Sequence, residues 1–184
     1  MSWPFLFHAG DRLSGAELCA ARLDGDVVEI GEAYMPADAV ETRELRAGSL
    51  RRIAGDQLAM THESAAWVHG VLDQPPARHS VQRCVDTRIN SVIDGRLRYR
   101  DPRLPRSDTD YISGVAVTTL TRTVVDLIRD RVIRENGDAA LVQALMSARP
   151  ELRDAAIAWF EAAGPVQHKR DALRYLRERA FTTR

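Results

Sequence analysis

The chain has 184 residues, 45% of them apolar, with 26 basic and 26 acidic side chains and two cysteines. That is room for one ordinary domain with a real core and a small appendage. Cys19 and Cys84 are too few for a disulfide framework, no run of twenty apolar residues offers a membrane span, and the opening Met1-Ser2-Trp3-Pro4-Phe5-Leu6-Phe7-His8 lacks the basic leader of a secretion signal, so the cytoplasm is the expected compartment.

Leu13 to Leu23 reads as a helix, with Ser14 as cap and Glu17 in the capping-box position. Asp24-Gly25 breaks it. Val27-Val28-Glu29-Ile30 and Ala33-Tyr34-Met35 follow as two short strands across Gly31-Glu32. A helix and a hairpin form the back half of a winged helix-turn-helix. Glu41 to Ile53 reads as helical with Leu45, Leu50 and Ile53 inward, and Thr61 caps a helix that carries Trp67 and stops at Gly70. Pro75-Pro76 enforces extended backbone before a strand over His79 to Val85. Asp94-Gly95 between Ser91-Val92-Ile93 and Leu97-Arg98-Tyr99-Arg100 is a hairpin signal. Val115-Ala116-Val117 runs into a helix from about Thr121 to Arg131, capped by Thr119 or Thr121. Three helices complete the chain: Ala139 to Ser147 behind Asp138, a second from Pro150 to Gly164, and a third after Pro165. The expected fold is α+β: a truncated winged-helix-like unit (1–45), a central mixed α/β domain with a short sheet (46–134) and a helical C-terminal extension (135–184).

Charge is polarised along the chain. Residues 1–45 carry nine carboxylates against three arginines, a net −6, while residues 46–134 carry 15 arginines against ten acids, a net +5. DNA binding requires several cationic contacts to phosphate, so the N-terminal unit is expected to be repelled by a duplex. Asp24, Asp26, Glu29 and Glu32 are candidates for docking on a basic partner; the alternative is a solvated acidic surface. Arg96, Arg98 and Arg100, continued by Arg103 and Arg106, form the densest positive stripe, with Leu97 and Tyr99 facing the other way. They suit nucleic acid or an acidic partner, or simply protect a sheet edge.

Thr119, Thr121 and Arg122 sit at a helix start, where backbone N–H groups can hold an anion. The competing reading has the threonines capping and Arg122 paired with Asp126 four residues on. His62, His69, His79 and Cys84 lack the tight pairing of zinc ligands, and His69 and His79 suit hydrogen bonds to carbonyls. A spatial cluster of His69, His79 and Asp126 has nothing in its spacing to recommend it. No catalytic set, cofactor or metal is expected. Trp67, Trp159 and Phe160 read as core.

The order of these pieces carries a resemblance. A helix plus wing, Trp67-Val68-His69-Gly70, Pro75-Pro76-Ala77-Arg78-His79, then Val117-Thr118-Thr119-Leu120-Thr121-Arg122-Thr123-Val124-Val125-Asp126-Leu127 together resemble the AbiEi family of antitoxins over roughly the first three quarters of the chain. The resemblance implies an antitoxin that is not an enzyme. Its winged helix would bind operator DNA and regulate its own operon, and its second part would counteract a nucleotidyltransferase toxin encoded beside it. Two alternatives are a plain DNA-binding repressor using the basic central domain, and a remnant of a Vsr-like endonuclease-associated protein. The helical tail lacks the carboxylate-bearing strands that an endonuclease needs.

Overall fold

A computed structural model describes residues 5–89, 94–133 and 139–178, with the backbone alone for 131–133. Helix α1 (Gly15–Asp24) starts on a complete capping box. The Ser14 hydroxyl accepts from the Glu17 N–H, and the Glu17 carboxylate accepts from the Ser14 N–H. Gly25, left-handed at φ +85°, ends the helix and turns the chain into β1 (Val27–Ile30), which pairs antiparallel with β2 (Ala33–Pro36). Val27, Ile30, Ala33 and Met35 are buried. The hairpin tip, Gly31-Glu32, reaches the main body of the protein, and Ile30 and Met35 share one apolar cluster with Leu45, Leu50, Trp67, Val81 and Val117.

The helical expectation over Glu41 to Ile53 resolves into two pieces, α2 (Arg43–Ser49), capped by the Thr42 side chain, and α3 (Arg51–Ala54). Next come β3 (Leu58–Met60), α4 (His62–Val68), β4 (His79–Arg83) and β5 (Leu97–Arg100). After a short 3-10 turn, β6 (Thr109–Ile112) and β7 (Val115–Thr118) form a hairpin. The five central strands lie in the order β5-β4-β3-β7-β6. β3 runs antiparallel to β4 and parallel to β7, and β5 runs parallel to β4. The first arm expected before Asp94-Gly95, Ser91 to Ile93, lies outside the described residues; the second arm, β5, finds its partner in β4.

Helix α5 (Leu120–Ile133) follows β7 directly, and α6 (Ala139–Ala148), α7 (Glu151–Ala162) and α8 (Lys169–Glu178) pack around it. Asp138, the expected cap of α6, is outside the described residues. Val124, Val125, Ile128, Leu145, Met146, Phe160 and Leu176 make a second apolar cluster. Neighbouring residues of α4 serve the two clusters separately, Trp67 the first and Ala66 the second. That division explains why α4 is buried along nearly its whole length.

Candidate functional site

Helix α1 buries only Leu18. Its exposed side carries Ala16, Cys19, Ala20 and Leu23 at one-turn spacing, and Val28 of β1 is exposed beside it in sequence. Leu23 is 82% exposed. Glu17, Asp24, Asp26 and Glu29 are exposed around these residues, against one cation, Arg22, whose guanidinium lies 3.5 Å from Glu29. Glu32 is differently placed. At the hairpin tip it accepts from Arg96 at 2.5 Å and lies 3.6 Å from His79, so it ties the N-terminal unit to β4 and β5.

The arginine stripe is largely used internally. Arg96 pairs with Asp94 as well as Glu32 and holds the Asp94 carboxyl down to about 2. Arg100 grips Asp130 with both terminal nitrogens, and Arg103 pairs with Asp86. Among the described residues, Arg98 and Arg106 are exposed and pair with no carboxylate. Leu97 is buried and Tyr99 packs on the core, as the alternation requires.

At the β7–α5 junction the Thr119 hydroxyl accepts from the Arg122 N–H at 3.2 Å, which makes Thr119 the cap. Thr118 and Thr123 share a buried hydroxyl contact of 2.7 Å. Thr121 is half-buried. Arg122 is buried and doubly paired. Its Nε donates to Asp126 at 3.0 Å, Nη1 donates to Asp108 at 2.6 Å, and its guanidinium lies over the Trp159 ring. Burial works against its charge, but Asp126 and Asp108 outweigh that and raise its pKa. The Trp159 indole N–H donates to the other Asp108 oxygen at 3.1 Å. Beside this network opens a cleft of about 310 Å³, lined by Arg100, Arg103, Arg122 and Arg129 together with Asp126, Asp130, His62 and two glutamines.

The histidines have separate partners. His69 Nε2 bonds the Thr118 carbonyl at 2.8 Å, which fastens the end of α4 to β7. His79 departs from the expected carbonyl contact, meeting the Ser64 hydroxyl at 3.3 Å and facing Glu32. His62, in a left-handed conformation at φ +51°, shares a hydrogen bond with the Thr61 hydroxyl and lies 3.7 Å from Asp130. Among the described residues, no three of His, Cys, Asp and Glu converge as metal ligands. Asp126 meets arginines, not His69 or His79.

The family described as AbiEi antitoxin C-terminal domain matches residues 58–179. The chain belongs to the AbiEi antitoxin family. An antitoxin role, and with it a toxin partner, follows in general from that membership. The match differs in extent from the resemblance over the first three quarters of the chain. It begins at β3, runs to the end of α8, takes in the helical C-terminus and leaves out α1 and its hairpin. The chain is also similar to a crystal structure of the RV2827C protein from Mycobacterium tuberculosis, at 16% identity, covering 86% of this chain and 68% of that one, with a TM-score of 0.34. No curated protein matches it. Among the described residues, no helix is long and apolar enough to cross a membrane.

In this AbiEi antitoxin Arg78 and Arg122 of the motifs, and Arg46 outside them, make contacts that hold the fold. Arg46 donates to the Trp67 and Leu72 carbonyls at the end of α4, Arg78 donates to the Leu97 carbonyl, and Arg122 is bracketed by carboxylates. Sequence reasoning missed Asp108 and the polar use of Trp159. Neither gives a local signal, because they meet Arg122 only through the tertiary fold. A pH dependence follows from the histidines. Burial lowers the pKa of His62, His69 and His79, more than Asp126, Glu32 or the Thr118 carbonyl raises it. Below the unfolded value of about 6.5 the unfolded chain therefore binds protons that the folded chain refuses. Stability should fall from pH 7 to pH 5, by up to about 1.4 kcal/mol per pH unit for each such histidine, and level off below the folded values. Urea midpoints across that range measure it; a flat profile would mean that the three rings are protonated in place.

Proposed function

We propose that this chain neutralises a nucleotidyltransferase toxin, encoded by the adjacent gene, by binding it directly in the cytoplasm and without catalysis. The observation that carries this reading is the exposed face of α1. Cys19 and Leu23 are apolar and unburied, and Glu17, Asp24, Asp26 and Glu29 are exposed close to them in sequence, with Glu29 against Arg22 of α1; Val28 points to the opposite face of the hairpin. A dry apolar centre with a charged rim is the usual anatomy of a protein interface. The sign of the rim selects a basic partner, and a protein that holds nucleoside triphosphate and RNA presents such a surface. In this reading residues 1–45 are the docking unit, 46–134 the scaffold and 135–184 its helical support.

The test is affinity for the adjacent gene's product. Lysine at Asp24, Asp26 and Glu29, or arginine at Leu23, should weaken the complex at least about tenfold. Melting temperature should stay unchanged, because these side chains are exposed. Unchanged affinity in both variants would overturn the docking face. Two proteins that never co-purify would overturn direct binding.

A second role, regulation of the operon through DNA contact, has a narrower basis. Arg98 and Arg106 are the stripe's unpaired exposed cations among the described residues. Two phosphate contacts give little affinity and a shallow salt slope, so an operator complex of this chain should be weak already at low salt and should weaken only gradually as salt rises.

A further inference from the structure

The cleft beside the Arg122 network has chemistry that antitoxin docking does not use. Its walls come from α4, β4, β5, α5 and the α7–α8 connection, well separated in sequence from the α1 face. Arg100, Arg103, Arg122 and Arg129 line it against two carboxylates, Asp126 and Asp130. Those carboxylates hold the arginines in place: Asp130 grips Arg100, and Asp126 meets Arg122 and, at a looser 3.5 Å, Arg129. A guanidinium has five N–H groups and a carboxylate engages two at most. Accordingly, the Nε atoms of Arg100 and Arg129 are buried and meet no acceptor among the described residues. A buried donor without a partner is costly, and both belong to side chains that line the cleft.

We propose that this cleft binds the phosphate group of a nucleotide. A phosphate dianion supplies several acceptor oxygens and the charge that the lining lacks, and the arginine fork matches its geometry. The inner cleft, about 310 Å³, is of small-ligand size. It continues into an outer cavity of about 770 Å³ that shares Arg103, Arg122 and Arg129 and adds Trp159, Pro165 and Val166. Those apolar walls suit the base and sugar. A nucleic-acid duplex fits less well, because the side chains of Arg100 and Arg129 are only 28% and 26% exposed.

The experiment is calorimetric titration of the full chain with inorganic phosphate, AMP, adenosine and a short DNA duplex. Phosphate and AMP should bind saturably, AMP the more tightly, and adenosine should not bind. Arg129→Gln and Arg103→Gln should each weaken AMP at least about tenfold. Both residues are partly exposed with one ion pair each, so unchanged melting curves are expected and separate lost binding from lost fold. Equal affinity for phosphate and AMP would overturn the nucleotide assignment. Absence of binding by both at millimolar concentration, binding unaltered in both variants, or binding of duplex DNA alone would overturn the site.

Discussion

Replacing Arg122 with methionine should cost the fold about 3–5 kcal/mol. The side chain is 8% exposed and stands between Asp126 at 2% and Asp108 at 10%. Without it, among the described residues Asp126 keeps only the 3.5 Å contact to Arg129, and Asp108 keeps the Trp159 N–H. Two carboxylates are then left in a poorly hydrated site with little compensation, which is dearer than never having had the network. For a chain of this size the loss corresponds to roughly 6–20 °C in melting temperature. A triple variant with Asp108→Asn and Asp126→Asn should recover most of it, because the stranded charges are gone. A single variant that melts within about 2 °C of wild type would show that the network is open to water.

Gly31→Ala should be the next most damaging change, at about 2–4 kcal/mol. The residue is left-handed at φ +52°, and a Cβ there would collide with the Ser49 hydroxyl and sit 2.9 Å from the Trp67 ring. Neither neighbour can yield. The Ser49 hydroxyl is held on the Arg46 carbonyl at 2.7 Å, and Arg46 stacks over the Trp67 ring while donating to its carbonyl. Gly25 is a natural control. It has φ +85° but nothing within 4 Å of the added carbon, so Gly25→Ala should cost only about 1 kcal/mol from backbone strain. Chemical denaturation of the pair separates conformational strain from the close approach, and equal losses would remove the steric argument.

How far the sequence was legible depended on whether the deciding interaction was local. The capping box of α1, the β1–β2 hairpin, the β7-to-α5 passage and the three closing helices rest on contacts within a few residues, and each could be read from spacing. β3 could not. Leu58-Ala59-Met60 is buried on both faces, so it shows no alternation, and three residues make no pattern. β6 was hidden for the opposite reason, because Asp110 and Tyr111 at the sheet edge are both exposed. The acidic candidates divide in the same way. Asp24, Asp26 and Glu29 stay at the surface as their neighbours suggest, whereas Glu32 is claimed by Arg96 and His79, which no local pattern reveals. Among the arginines, pairing partners far along the chain decide which remain available.

The placement of β3 in the middle of the sheet also bears on how the molecule assembles. Ala59 pairs with Gln82 on one side but with Ala116 on the other, and α5, which caps the second cluster, follows only after β7. During synthesis the central strand therefore waits, half-matched, until much of the chain has left the ribosome. Closing so long a loop before any reward is slow, so the nascent protein passes through a period with its interior open to chaperones and proteases.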